Sequence, residues 1–190
     1  MIAITEDQIE RANLILHNVP RGGEKALTGA IERAKSTVRV ESTRQIAAVY
    51  SITQKDIRAE TNITMRTQKA DNGIVGSVTF AGYKIPLYRF NVSPKAPRQG
   101  QTVKAAVLKS SSQTPFAHAF IAKMRSGHVG MFERDTRKRT PITEFMGPST
   151  AQMAANTVVV SKVEEAAKET FDKRLEQEIT RILNGYGGAK

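Results

Sequence analysis

Two segments with helical periodicity, one near each end of the chain, constrain the fold more than any other feature. From Glu24 onward, apolar and small residues recur at spacings of three and four, which is typical of a helix with one buried side. This stripe consists of Ala26, Leu27, Ala30, Ile31, Ala34, Val38, Ser42, Gln45, Ile46 and Val49. The opposite side carries Arg33, Lys35, Arg39, Glu41 and Arg44. We therefore predict a long helix that buries the first set and exposes the second.

A second stripe predicts the closing helix. Pro148 and Ser149 are typical of a helix N-terminus, and Gly185 is typical of a helix end. The stripe between them consists of Val160, Val163, Ala167, Phe171, Leu175, Ile179 and Ile182. We expect helix over 149–184 and a disordered tail over 185–190.

Shorter helices are indicated before the middle of the chain. Thr5 has the residue type and position of an N-cap, and Pro20 ends the apolar pattern that follows it. Thr53 is a second N-cap candidate, for a short helix that begins near Gln54. Residues 1–60 are therefore predicted to be helical.

Between the helical ends, apolar residues alternate with polar ones, as strands require. Strands are predicted over 62–70, 73–81, the segment that contains Pro86, 102–110, 117–125 and 128–134, the last two forming a hairpin around Ser126–Gly127. Residues 91–101 contain Pro94, Pro97 and Gly100 and few packing residues, which predicts an exposed, mobile loop.

The resulting fold class is α+β, with long N-terminal helices, a central antiparallel sheet over 61–146 and an amphipathic C-terminal helix packed on that sheet. The length of 190 residues favours a single domain over 1–190. The chain has no cysteine, which excludes disulfides, thiolate zinc sites and thiol catalysis. No apolar stretch reaches the ~18 residues of a membrane span, and acidic residues stand where the basic region of a signal peptide belongs, so we expect a soluble intracellular protein.

Positive charge is concentrated in one part of the chain. The formal net charge is +11, and residues 84–140 hold 12 basic side chains against 2 acidic ones. A local excess of this size fits a polyanionic neighbour, either nucleic acid or an acidic protein face, and it equally fits a solubility charge. The candidate contact residues are Lys84, Arg89, Lys95, Arg98, Lys104, Lys109, Arg137, Lys138 and Arg139.

One short segment gathers side chains that could act in catalysis. Glu133 and Asp135 are two residues apart, so in a strand they share a face and could hold a cation or transfer a proton. Two carboxylates are few for a metal-dependent nuclease, and neutralisation of the neighbouring arginines is the expected role. His118 and His128 are expected to form a polar pair across the hairpin. No nucleotide-binding or hydrolase motif occurs, and we predict no catalytic residue, metal or cofactor.

The segment from Gly130 to Met153 resembles the phage minor tail protein Z family, the tail completion proteins. The residues that carry the resemblance are Gly130, Phe132, Arg134, Pro141, Ile142, Glu144, Gly147, Pro148, Ser149 and Met153. Residues 171–183 also look like the closing helix of that family.

The resemblance implies a virion structural protein without enzymatic activity. Such proteins act at the head-proximal end of the tail and are related to tail terminator and neck proteins that form rings, often six-fold, through which DNA passes. Their partners would be further copies of the chain and the terminator, tail-tube and head-completion proteins. Under this hypothesis residues 128–146 position an interface, with Phe132 and Ile142 buried. The basic residues of 84–140, which we call the basic segment, line a DNA passage or contact an acidic partner.

Two other classes of function remain open from the sequence. A basic nucleic-acid-binding module outside the virion would bind DNA with strong salt dependence. An enzyme, either a nuclease or a cell-wall hydrolase, would need Glu133 and Asp135 for activity.

Overall fold

The computed structural model describes residues 6–70, 73–98 and 100–185. Its helices are α1 (Glu6–Ile15), α2 (Gly22–Val49), α3 (Gln54–Ala59), α4 (Thr150–Ala154) and α5 (Thr157–Leu183), with a 3-10 turn at Leu87–Arg89. Its strands are β1 (Asn62–Ala70), β2 (Gly73–Ala81), β3 (Lys84–Pro86), β4 (Asn91–Ser93), β5 (Val103–Ala106), β6 (Thr114–Phe116), β7 (Ala119–Lys123), β8 (Val129–Arg134), β9 (Ile142–Glu144) and β10 (Met146–Ser149).

This order of elements confirms the α+β class. Among the described residues, the strands form four small sheets rather than one central sheet: β1–β2, β3–β10, β4–β5–β6 and β7–β8–β9. Within the part of the chain that the structure describes, none of the helices has the length and apolarity that a membrane span requires.

The chain divides into two compact units. The first comprises residues 1–42, 63–79 and 160–190, and the second comprises residues 43–62 and 80–159. The prediction of a single domain stays a prediction.

The core of the first unit is mainly helical. Residues from α1 and α2 form one buried cluster with Phe171, Leu175, Ile179 and Ile182 of α5, which confirms these members of the C-terminal stripe. Ile74 of β2 packs against the same cluster. The stripe on α5 therefore contacts a strand at Ile74 but finds most of its partners on the other helices.

Lys35 of α2 is buried, whereas the helical pattern predicts it on the exposed side. Only 7% of the residue remains accessible, and its ammonium donates a hydrogen bond to Glu32 Oε1 at 2.8 Å. A second hydrogen bond goes to Thr67 Oγ1 of β1. Because a carboxylate and a hydroxyl accept from the ammonium, the charge is compensated inside the fold.

Glu178 of α5 is the other buried charged residue of this unit among the described residues. Its carboxylate accepts from Arg174 and Arg181, both at 2.7 Å, one turn before and one turn after it on the same helix. Gly29 of α2 faces it, and a Cβ at position 29 would lie 3.0 Å from Glu178 Cδ. The glycine thus allows the ion cluster to lie against α2.

The second unit has its own apolar core. Ile46, Ile57, Ile85, Phe90, Met131 and Met153 are each at most 2% accessible. The turn at Leu87–Arg89 contacts both β4 and β8, and Leu87 is buried within it. α3 begins as predicted, with the Thr53 hydroxyl accepting from the Asp56 amide.

The predicted loop over 91–101 contains a short strand instead of being irregular throughout. Asn91–Ser93 pairs antiparallel with β5, and Val92 is 3% accessible. Gln99, Thr5 and residues 186–190 lie outside the described residues, so the predicted N-cap and the predicted disorder of the tail stay predictions. Gly185, with φ of 78°, follows the last helix as expected.

Candidate interface segment

The hairpin β7–β8 places a cation over one ring of an aromatic pair. Phe120 and Phe132 are directly opposite each other, with ring centroids 6.2 Å apart. The guanidinium carbon of Arg134 lies 5.1 Å from the centre of the Phe120 ring, within the range of a cation–π contact. The other face of the hairpin carries the buried pair Ile121 and Met131. The core packing of Ile121 and Met131 therefore holds in place the opposite face, which carries Phe120, Phe132 and Arg134.

Gly130 makes room for the ring of Phe132. A Cβ at position 130 would lie 2.8 Å from Phe132 Cζ and would also overlap the carboxylate of Glu144. Phe132 is 5% accessible, which confirms its predicted burial, whereas Ile142 on β9 is only half-buried.

His128 pairs with Glu144 and not with His118. The imidazole Nε2 lies 2.7 Å from Glu144 Oε1, and the imidazole ring meets the edge of Phe132 at a centroid distance of 6.3 Å. The predicted pair of His118 and His128 is wrong, because the observed register places them at opposite ends of the hairpin. Glu144 reaches His128 since β9 pairs with β8 and puts Glu144 opposite Phe132.

The loop between β8 and β9, residues 135–141, is tied to Arg134. The Arg134 guanidinium donates to the backbone carbonyl of Arg139 at 2.7 Å and to that of Lys138 at 3.4 Å. The Asp135 amide donates to the Pro141 carbonyl at 3.3 Å. We call residues 135–141 the basic loop; Arg137, Lys138 and Arg139 are all exposed in it, as predicted.

The sequence predicts that the two carboxylates of this segment neutralise its arginines. Asp135 accepts from the Thr143 hydroxyl at 2.8 Å, and within the described residues neither it nor Glu133 forms an ion pair. The predicted neutralisation therefore does not take the form of ion pairs, and a role of these acids in charge balance stays a prediction. In the same described part of the chain, no three His, Asp or Glu side chains are grouped closely enough to hold a metal ion.

The remaining residues of the sequence motif form the transition from β10 to α4. Gly147 lies against Phe90, whose Cε2 would be 2.6 Å from a Cβ at position 147. Ser149 accepts from the Gln152 amide and its own amide donates to the Gln152 side chain, a complete capping box. Met153, one turn into the helix, is fully buried. Ser149 is thus confirmed as the start of a helix, whereas Pro148 lies in the strand β10. The helix predicted over 149–184 is interrupted at residues 155 and 156, between α4 and α5.

A family model described as prophage minor tail protein Z matches residues 9–186. The chain belongs to this family. The match extends well beyond the segment from Gly130 to Met153 and includes the N-terminal helices. The chain has no match among the curated proteins and none among the solved structures. Membership of the minor tail protein Z family makes the chain a structural component of a phage tail.

In this minor tail protein Z family member, two of the nine candidate contact cations are engaged within the fold. The Arg89 guanidinium lies 3.1 Å from Asp56 Oδ1. Lys95 donates to the Phe90 carbonyl at 2.8 Å and to the Tyr88 carbonyl at 3.1 Å, and burial lowers the pKa of its ammonium. All nine are exposed, and within the described residues the other seven make no side-chain ion pair or hydrogen bond, namely Lys84, Arg98, Lys104, Lys109, Arg137, Lys138 and Arg139. Their role in contacting a partner stays a prediction.

Sequence reasoning missed Phe120 and the pairing of His128 with Glu144. Phe120 shows only as one apolar residue of an alternating strand, and its place beneath Arg134 depends on the hairpin register. The sequence signal that could have found it was Gly127, because a three-residue hairpin loop commonly ends on a residue with positive φ, which favours glycine. The observed loop runs from Arg125 to Gly127, and Gly127 has a φ of 88°.

Proposed function

We propose that this chain completes the phage tail and joins it to the head, as a homo-oligomeric ring at the head-proximal end of the tail. DNA would pass through the ring. The ring would contact the tail terminator, the tail tube and the neck or head-completion proteins, after assembly in the host cytoplasm.

Family membership supports a place in the tail, and one structural observation supports the proposed contact with DNA. All nine candidate cations of residues 84–140 are exposed, and among the described residues seven of them make no side-chain ion pair or hydrogen bond. They are distributed over strands and loops rather than grouped in a pocket. Transit of DNA requires contacts that are weak and indifferent to sequence, and contacts between Lys or Arg side chains and phosphates meet that requirement.

The proposal assigns a structural role without catalysis. What supports this is the environment of the two carboxylates of the motif: Asp135 is occupied by Thr143, and Glu133 lies half-buried on the strand β8. Replacement of both by alanine should leave any hydrolytic activity of purified particles unchanged. Loss of such an activity in the double variant would show that the carboxylates are catalytic.

Labelling of intact particles tests the location. An epitope tag on the N-terminus, detected by gold-conjugated antibody in electron micrographs, should mark one position at the junction of head and tail. Deletion of the gene should give separate heads and tails that join when purified protein is added. A label at the distal tip, or absence of the chain from mature particles, would contradict the proposal.

A separate measurement tests whether the chain forms a ring. Averaged images of the labelled junction, viewed along the tail axis, should show a closed ring of identical subunits. A single copy per particle at that junction would exclude the ring while leaving the tail location intact.

The alternative function is a basic nucleic-acid-binding module that acts outside the virion, and the same charge distribution favours it. The two functions differ in location. Crosslinking in infected cells would recover such a module with DNA throughout the lytic cycle, whereas mature particles would lack it.

A further inference from the structure

We propose that the basic loop, residues 135–141, is a preformed contact for the phosphate backbone of nucleic acid, in which Arg134 is a positioning residue. Arg137, Lys138 and Arg139 would meet the phosphates. This inference deepens the proposed function and rests on it for the identity of the polyanion.

Arg134 contacts the basic loop directly and holds part of its backbone. Its guanidinium lies over the Phe120 ring and donates to the carbonyls of Lys138 and Arg139. A planar guanidinium can do both at once, because its face stacks while its edge donates. The charge of Arg134 is therefore directed at the loop's own backbone, and the side chain fixes the path of the two residues whose carbonyls it binds.

Further hydrogen bonds close the loop from both sides. The Asp135 amide donates to the Pro141 carbonyl, and the Thr143 hydroxyl donates to the Asp135 carboxylate at 2.8 Å. The Lys138 amide donates to the Thr136 hydroxyl at 3.2 Å. A loop held in this way loses little conformational entropy when it binds, which favours affinity.

The three outward cations have no anion directed at them. Within the described residues, neither Arg137, Lys138 nor Arg139 forms an ion pair, and the nearest acid in the sequence, Asp135, is bound to Thr143. Three adjacent positive charges without internal compensation fit the closely spaced charges of a phosphate backbone.

The composition of the loop favours nucleic acid over an acidic protein as its partner. Protein interfaces depend on aromatic or large apolar anchors surrounded by a polar rim. Residues 135–141 read DTRKRTP and include no aromatic or large aliphatic side chain. Contacts to a phosphate backbone need no such anchor, and the loop has the residue types that make them.

The test uses the full-length chain and a short fluorescent DNA duplex, with affinity measured by anisotropy between about 50 and 200 mM NaCl. The loop variant replaces Arg137, Lys138 and Arg139 by alanine. The matched control replaces Lys162, Lys168 and Lys173, three exposed lysines of α5, and so removes the same charge from a helix outside the loop.

The proposal predicts that the wild-type chain binds at low salt with no preference between duplexes of different sequence. The slope of log affinity against log salt should fall by up to about 2.7 in the loop variant, at about 0.9 per lost phosphate contact, and should change little in the control. Equal loss of slope in both triple variants would mean that overall charge, not the loop, binds DNA. Absence of binding by the wild-type chain at low salt would also overturn the proposal, and the location of the chain in the virion would remain a separate result.

Arg134→Lys tests the positioning role. The lysine keeps the charge but cannot stack and donate to two carbonyls together, so affinity should fall about fivefold through lost preorganisation. The salt slope and the melting temperature should stay those of the wild type. Wild-type affinity in Arg134→Lys would show that Arg134 does not position the loop. Tighter binding of polyglutamate than of DNA, with the same dependence on the loop, would identify an acidic protein as the partner and overturn the assignment to nucleic acid.

Discussion

Gly130 lies against the ring of Phe132 so closely that no side chain larger than hydrogen fits between them. A Cβ there would be 2.8 Å from Phe132 Cζ, a separation that real Cβ atoms essentially never show. The ring cannot move away easily, because Phe120 and His128 contact it as well.

Gly130→Ala should therefore lower the free energy of unfolding by about 1–3 kcal/mol, the usual cost of overpacking. Urea denaturation followed by circular dichroism measures this. Thr64→Ala, at an exposed position of β1, is the control and should change stability by less than about 0.5 kcal/mol. Equal stability of the two variants would mean that the hairpin accommodates the methyl group by shifting.

Ser149→Ala should destabilise the protein by about 1 kcal/mol, because it removes the N-cap of α4 and breaks the reciprocal bond with Gln152. Thermal unfolding is the measurement. Ser149→Asp keeps an N-cap acceptor and should recover part of the loss. Ser112→Ala, in an exposed irregular segment, serves as a control for loss of a serine hydroxyl. A midpoint in Ser149→Ala equal to that control would show that the cap contributes no stability.

Glu178 and Glu176 offer a matched comparison on one helix. Glu178 is buried between two arginines, whereas Glu176 is exposed and pairs with Arg11 at 2.8 Å. Glu178→Ala should cost about 1–3 kcal/mol, as expected for charge-assisted hydrogen bonds, and Glu176→Ala less than about 1 kcal/mol, as expected for an exposed pair. Chemical denaturation of both variants decides the point. A larger loss at position 176 would contradict the structural difference.

The pH dependence of stability should include a contribution from Glu32. The hydrogen bond from Lys35 lowers the pKa of the Glu32 carboxyl, and the hydrogen bond from Thr67 lowers it further. Since the folded pKa lies below the unfolded one, the stabilisation is fully present above the unfolded pKa and is lost as the pH falls through the folded value. Glu32→Gln should therefore flatten the acid limb of a plot of unfolding free energy against pH.

The same limb should also flatten in Lys35→Met, which removes the cation while keeping an apolar stem of similar length. Stability measured by urea titration at a series of pH values below neutrality would show both effects. An acid limb in Glu32→Gln as steep as that of the wild type would mean that the ion pair makes no net contribution.

Local patterns predict most of the secondary structure because the determining contacts are close in sequence. The stripes on α2 and α5, the caps at Thr53 and Ser149 and the hairpin near Gly127 all depend on residues within a few positions of each other. The short strand Asn91–Ser93 was missed for the opposite reason. Its pairing with β5 joins residues separated by a stretch that contains two prolines, and nothing local requires it.

The side-chain partners of the candidate segment depend on register, which the sequence does not determine. A two-residue loop at Ser126–Gly127 would pair Phe120 with Glu133, whereas the observed three-residue loop pairs it with Phe132. That single shift brings Arg134 over Phe120. The burial of Lys35 is likewise not predictable from local sequence, since it depends on Thr67, a residue 32 positions away on another element.

The charge of Lys95 affects the rate at which a polyanion would associate with the protein. Its ammonium is bound to two carbonyls and cannot serve as a direct ligand, yet its charge still adds to the electric field outside the protein. That field extends over about 8–10 Å at physiological ionic strength, and it governs the rate of encounter rather than the strength of the final contacts. Lys95→Met should therefore slow association with DNA while leaving the dissociation rate unchanged. The basic segment would then contain two kinds of cation, one that attracts a passing strand and one that touches it.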